Sequence, residues 1–253
     1  ANQKIAVVEA KDNKHTPRDG LQQAMDYALL LNTPFAYSSN GDEFVEHDFL
    51  TGVQRTLPMS QFPTPQELEA RWAKQYTVEE LKIIQQPYYT SVSDNFKEPR
   101  YYQEVAINRT IEAVAKGQQR ILLVMATGTG KTYTAFQIIH RLKASGTKKK
   151  ILFLADRNVL VDQPMTQDFK PFKETMVKVS NKTLDSAFEV YLALYQQLDG
   201  SADNSLFKQF KPSFFDLIII DECHRGSAKE DSNWRSILEY FSSATHIGMT
   251  ATP

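Results

Sequence analysis

Three short groups of residues in this 253-residue sequence carry side chains suited to phosphate chemistry. The first is Thr127-Gly128-Thr129-Gly130-Lys131-Thr132, which follows the apolar run Ile121 to Ala126 and leads into a helix-forming stretch from Tyr133 to Leu142. Glycines there let successive backbone N–H groups turn inward, and the positive end of the following helix adds to them, so anionic phosphates find donors without side chains. Lys131 is expected to reach the β- and γ-phosphates of a nucleotide, and the Thr132 hydroxyl to ligate Mg²⁺. The general pattern G-x-x-x-x-G-K-[ST] is departed from at its first position, which is Met125. The second group is Asp221-Glu222-Cys223-His224, delivered by the apolar run Leu217 to Ile220. Asp221 is expected to hold Mg²⁺, usually through water, and Glu222 to orient and deprotonate the attacking water. Cys223 has no base beside it in sequence and reads as a packing residue. The third group is Glu9-x-Lys11 at the end of the run Ile5 to Ala10. Positions two apart in a strand share a face, so the carboxylate can hold Mg²⁺ while the ammonium orients a water against a phosphodiester. The same spacing also occurs at Asp12 and Lys14, Glu80 and Lys82, and Asp168 and Lys170, so spacing alone leaves chance open.

The elements that must position these groups follow from periodicity. From Arg100 the sequence predicts a helix to about Lys116, then apolar strands at 121–126, 151–155, 188–194, 217–220 and 246–251 with helical stretches between several of them. Short apolar strands alternating with helices predict a doubly wound parallel sheet covered on both faces, whose ligands bind at the carboxyl ends of the strands. Ahead of it, residues 1–60 predict a smaller α/β unit. It comprises the strand at Ile5, a helix from about Asp19 to Leu31 ended by Thr33 and Pro34, and two strands separated by the turn Ser38-Ser39-Asn40-Gly41. Residues 61–99, beginning with two prolines in Phe62 to Leu68, read as a helical connector, and 100–253 as the larger domain. Gln23 and Tyr27, four apart, lie on one face of the first helix. The run Lys148-Lys149-Lys150 before a strand reads as a solvated turn.

Composition bounds the partners only loosely. The net charge is -1, with 8 basic against 13 acidic residues up to position 95 and 21 against 17 thereafter, so bulk charge identifies no polyanionic partner. Hydrophobic residues are 42%, enough for one or two cores, and the longest apolar run falls far short of the roughly 20 residues that span a bilayer. One cysteine excludes an intrachain disulfide and fits a reducing, cytoplasmic setting. Both ends are expected to be cuts through a longer protein.

Ala126 to Thr132 (ATGTGKT), 221–224 (DECH) and 250–253 (TATP) resemble motifs I, II and III of superfamily 2 helicases and translocases, whose loop commonly begins Ala-x-Thr-Gly and so accommodates Met125. The resemblance implies a RecA-like first motor domain. Arg100-Tyr101-Tyr102-Gln103 is similar to the Q motif, in which the glutamine reads adenine; a side-chain amide matches the N7 and N6 edge, which implies ATP as the nucleotide. Ala155-Asp156-Arg157 resembles motif Ia, implying that Arg157 touches a nucleic-acid backbone, and Thr250 and Thr252, with His224, resemble the coupling residues. Glu9, Lys11, Gln23 and Tyr27 resemble the PD-(D/E)xK nuclease pattern with its Q-x-x-x-Y extension.

In this order, the groups resemble the restriction (motor) subunit of type I restriction-modification enzymes. That implies a restriction-endonuclease-like α/β domain ahead of the motor and an enzyme that moves along double-stranded DNA by ATP hydrolysis and cuts unmethylated foreign DNA. ATP and Mg²⁺ would be its cofactors, and methyltransferase and specificity subunits its partners, with no membrane involved. The alternative is a superfamily 2 DNA or RNA helicase without nuclease activity. No acidic residue precedes Glu9, and a second RecA-like domain is expected only after Pro253, so residues 1–253 alone are expected to bind ATP weakly and neither translocate nor cut.

Overall fold

A computed structural model describes residues 4–90, 98–155, 168–179, 186–194, 197–198, 205–221 and 230–251, with no side-chain description for 230–234. The chain divides into two compact units, Ala1–Leu81 with Arg100–Val105, and Lys82–Pro99 with Ala106–Pro253. Among the described residues no helix is long and apolar enough to cross a membrane.

The first unit is built on a four-stranded sheet in the order β1 (Ala6–Ala10), β2 (Phe35–Ser39), β3 (Glu43–Asp48), β4 (Gln54–Pro58). Helix α1 (Leu21–Leu31) connects β1 to β2, which run parallel; β2, β3 and β4 are antiparallel. Asn32 ends α1 in the left-handed region at φ 54°, and Thr33 donates its N–H back to Ala28 at 2.9 Å, before Pro34 forbids another turn. Small residues let α1 lie close to the sheet: Ala24, Ala28 and Ala36 are buried together against Val7, Met25 and Phe49. The predicted hairpin forms, with Asn40 Oδ1 accepting from the Asp42 and Glu43 amides and Gly41 at φ 95°. Strand β4 was not foreseen. Its residues Gln54, Arg55 and Thr56 are exposed and carry no apolar alternation, and pairing with β3 makes the strand.

Helix α2 (Pro65–Ala73) starts at a complete capping box. Thr64 accepts from the Glu67 amide, the Glu67 side chain accepts from the Thr64 amide, and Pro65 occupies the first turn. Its Arg71 reaches the face of the sheet opposite α1. Helix α3 (Val78–Ile84) follows.

The second unit holds a six-stranded, all-parallel sheet in the order β5 (Arg120–Val124), β10 (Thr245–Thr250), β9 (Leu217–Asp221), β6 (Ile151–Ala155), β8 (Val190–Leu194), β7 (Met176–Lys178). Every residue of β6, β8 and β9 is buried, which is why these strands read as continuous apolar runs. Helix α4 (Tyr101–Ala115) precedes β5, α5 (Lys131–Ala144) joins β5 to β6, and α6 (Glu230–Tyr240) precedes β10. On the α6 face, Leu152, Leu154, Tyr191, Ile218 and Ile220 pack with Phe215, Ile237 and Phe241. The doubly wound parallel sheet is therefore present as expected. Strand β7, three residues long, escaped the sequence pattern.

Candidate functional site

Two constellations emerge, one in each unit. In the second unit the tip of β5 turns through the glycine loop into α5. Gly128 and Gly130 both adopt the left-handed region, at φ 78° and 82°, a conformation that costs a side-chain-bearing residue about 1–2 kcal/mol. Thr129 closes the loop by donating its amide and its hydroxyl to the Ala126 carbonyl, at 3.3 and 2.6 Å. Thr127 and Gly128 are exposed and Thr132 half-buried, so the loop opens to solvent at the start of α5. Lys131, 8% exposed, points into the loop and donates to the Met125 carbonyl at 3.3 Å.

The carboxyl ends of three adjacent strands meet at this loop. Val124 pairs with Thr250, Met249 pairs with Asp221, and the Met125 amide donates to the Thr250 carbonyl at 2.8 Å. Asp221, 5% exposed, thus stands two strands from the loop strand, with Thr250 on the strand between. Strands, loop and helix bring Lys131, Thr132, Asp221 and Thr250 to one end of the sheet. Glu222, Cys223, His224, Thr252 and Arg157 lie outside the described residues.

Arg100 and Gln103 are described in the first unit. Gln103 is buried, at 7% exposed, and its side-chain oxygen accepts from the Arg100 amide at 2.9 Å, capping the start of α4. The three lysines at 148–150 are not a uniformly solvated turn. Lys148 donates to Thr245 Oγ1, Lys150 to the Ser186 and Phe188 carbonyls, and the Lys149 amide to Asp216; only Lys149 is exposed. Burial lowers the Lys148 ammonium from its usual range.

In the first unit, β1 brings Glu9 and Lys11 to one face, as their spacing requires, and that face lies under α1. Lys11 Nζ donates to Glu9 Oε1 at 2.8 Å and to Gln23 Oε1 at 3.0 Å, and Gln23 Nε2 donates to the Tyr27 hydroxyl at 3.2 Å. Four residues singled out from two sequence patterns therefore form one hydrogen-bonded chain. Of the four acid-x-lysine spacings in the sequence, this one has its lysine hydrogen-bonded to a glutamine that reaches a tyrosine four residues on. Among the described residues no group of three or more His, Cys, Asp or Glu side chains is placed to hold a metal ion. Gly20, at the start of α1, and Ser38, opposite Glu9 on β2, also belong to this site and were not foreseen. The one sequence signal for Gly20 is a glycine at a helix start, too common to carry a role by itself.

A family model described as the res subunit of type III restriction enzymes matches residues 96–253. The endonuclease subunit of the type I restriction enzyme EcoAI from Escherichia coli is 56% identical over 256 residues, covering 98% of this chain and 31% of that subunit. The EcoKI endonuclease subunit from Escherichia coli K12 is 35% identical over 61% of this chain and 15% of its own length. A solved fragment assigned to the HsdR subunit of a type I restriction enzyme from Vibrio vulnificus YJ016 superposes with a TM-score of 0.80 at 42% identity, covering 98% of this chain and 43% of that one. The chain spans less than a third of the length of the curated relatives it matches.

Proposed function

We propose, since this chain belongs to the restriction-enzyme res subunit family and matches the EcoAI type I endonuclease subunit over 98% of its residues, that it is the nuclease and first-motor-domain portion of a type I restriction subunit. The whole subunit would move duplex DNA by ATP hydrolysis and cut unmethylated DNA, with methyltransferase and specificity subunits choosing the sequence. The observation that carries the reading is the Lys11 ammonium held between Glu9 and Gln23, because a helicase without a nuclease has no use for that arrangement.

At the motor site the donor set suits a nucleotide with Mg²⁺. A buried carboxylate, Asp221, stands at a strand end, and a buried ammonium, Lys131, at the start of α5, beside a loop that turns through two left-handed glycines. Lys131 would leave the Met125 carbonyl for the phosphates, while Thr132 and Asp221 would hold the cation and Glu222 the attacking water. Gln103 would read adenine from Arg100-Tyr101-Tyr102-Gln103, and Thr250, Thr252 and His224 would relay the phosphate state to the DNA track, which Arg157 would touch.

At the nuclease site Glu9 would supply one hard oxygen ligand for Mg²⁺, and the buried Ser38 hydroxyl beside it, unpartnered among the described residues, is a polar group in need of a partner. The cation would supply charge stabilisation at the scissile phosphate. Lys11 would orient the attacking water, and Gln23 and Tyr27 would hold Lys11 in place.

The test uses the full-length subunit with its partner subunits, comparing ATP hydrolysis and cleavage of unmethylated circular DNA. Lys11→Ala is expected to abolish cutting and keep ATP hydrolysis; Lys131→Ala is expected to abolish both. Undiminished cutting by Lys11→Ala would make the protein a helicase of another kind.

A further inference from the structure

Ser38 is 0% exposed, and its hydroxyl has no hydrogen-bond partner among the described residues. A buried polar group left unpaired costs about 1–3 kcal/mol, and such groups in folded proteins have a reason, often a partner that arrives with function. Ser38 pairs in register with Glu9 on the neighbouring parallel strand, so the two side chains share the face that α1 covers.

Gly20 fixes how close they come. A Cβ built on it would lie 2.6 Å from Ser38 Oγ, 2.9 Å from Glu9 Cγ and 3.1 Å from Lys11 Cε. The backbone there, φ -94°, is open to any residue, so glycine is required by space. Of the three side chains that crowd this point, Glu9 alone is a pure acceptor, and Ser38 is the one whose buried donor has no partner among the described residues. Lys11 has a second partner in Gln23, so it stays anchored when Glu9 turns away from it.

We propose that Ser38 is a positioning residue of the nuclease site. Its hydroxyl donates to the Glu9 carboxylate when that carboxylate exchanges the Lys11 ammonium for a divalent cation, and Gly20 keeps open the space in which this bond forms. The inference rests on the nuclease reading of Glu9 and Lys11. A donor behind a metal-holding carboxylate fixes its orientation, and removing such a partner typically costs 10- to 100-fold in metal affinity.

The experiment titrates Mn²⁺ into the full-length subunit assembled with its partners, following DNA cleavage and ATP hydrolysis together, with direct Mn²⁺ binding to the nucleotide-free subunit read by electron paramagnetic resonance. Ser38→Ala is expected to raise the Mn²⁺ concentration for half-maximal cutting about tenfold or more and to weaken direct binding in proportion. The cutting plateau and the metal dependence of ATP hydrolysis should stay at wild type. Gly20→Ala, which pushes Ser38 and Glu9 apart, should shift the half-point the same way. Wild-type metal dependence in Ser38→Ala overturns the proposal, as does a lowered plateau with an unmoved half-point, the mark of a purely structural role. If Lys11→Ala cuts as well as wild type, the nuclease reading itself fails and takes this inference with it.

Discussion

Replacing Arg71 by methionine should destabilise the first unit by about 3 kcal/mol, the low end of what breaking a buried ion pair costs. Glu46, 1% exposed on β3, accepts from the Tyr37 hydroxyl at 2.6 Å, Arg55 Nε at 2.8 Å, and Arg71 Nη1 and Nη2 at 2.8 and 3.0 Å. Arg71 Nη2 also donates to Asp48 Oδ2 at 2.7 Å, and the guanidinium lies 4.4 Å over the Phe35 ring. Methionine keeps the apolar contact with Phe35, so the loss is the charge and its hydrogen bonds. Proton linkage gives a second estimate. Burial pushes the Glu46 carboxyl up, but the hydrogen bonds from Arg71, Tyr37 and Arg55 outweigh it and bring the group from 4.5 to about 2. At about 1.4 kcal/mol per unit this difference is about 3.5 kcal/mol for Arg71, Tyr37 and Arg55 together, net of burial, the same order as the loss expected from removing Arg71. The folded value lies below the unfolded one, so the contribution is present above about pH 4.5 and lost as pH falls towards 2.

Hydrogen exchange of β2 and β3 peptides in the full-length subunit reads both quantities. Arg71→Met should lower protection at neutral pH by about 3 kcal/mol. Wild-type protection, corrected for intrinsic rates, should decline as the medium is acidified below pH 4.5, and Glu46→Gln should flatten that decline. A loss under about 1 kcal/mol in Arg71→Met, the worth of an exposed pair, would refute the reasoning. So would an undiminished acid decline in Glu46→Gln.

Two further outcomes are expected. Gly130→Ala should weaken nucleotide binding tenfold or more, whereas Gly117→Ala, at a similar φ of 80° with open space around it, should cost comparable stability and leave nucleotide binding intact; equal binding by both variants contradicts the loop assignment. His246 is buried, with Nε2 at 3.1 Å from the Phe241 carbonyl, and burial lowers it from 6.5 to about 4. It is neutral in the fold, so its contribution is present above pH 6.5 and lost as pH falls towards 4; His246→Leu should remove that part of the pH dependence of unfolding.

What the sequence revealed depended on how local each cause was. Strands β6, β8 and β9 were legible because burial on both faces leaves an uninterrupted apolar run, whereas β4 and β7 sit at sheet edges and exist through their neighbours. The phosphate loop is a local device, so glycines, lysine and flanking elements announce it together. The joining of Glu9 and Lys11 to Gln23 and Tyr27 required two patterns to be read at once. Gly20 and Ser38 were invisible because each matters only through the other, across a crossover of 18 residues. Lys148 and Lys150 looked solvated because their acceptors, Thr245 Oγ1 and the Ser186 and Phe188 carbonyls, lie far off in sequence, and the Arg71 network was hidden because nothing in sequence pairs position 71 with 46.

Strand β5 ends the described sheet with β10 as its only neighbour there, and its Leu122 and Val124 are 57% and 50% exposed. An open strand edge carrying two large apolar side chains is a template for pairing with another copy. Residues 1–253 handled in isolation should therefore self-associate with rising concentration through the strand that bears the nucleotide loop. Crystallisation or binding work on this stretch would benefit from a charged substitution at Leu122, made on the solvent side and away from the loop.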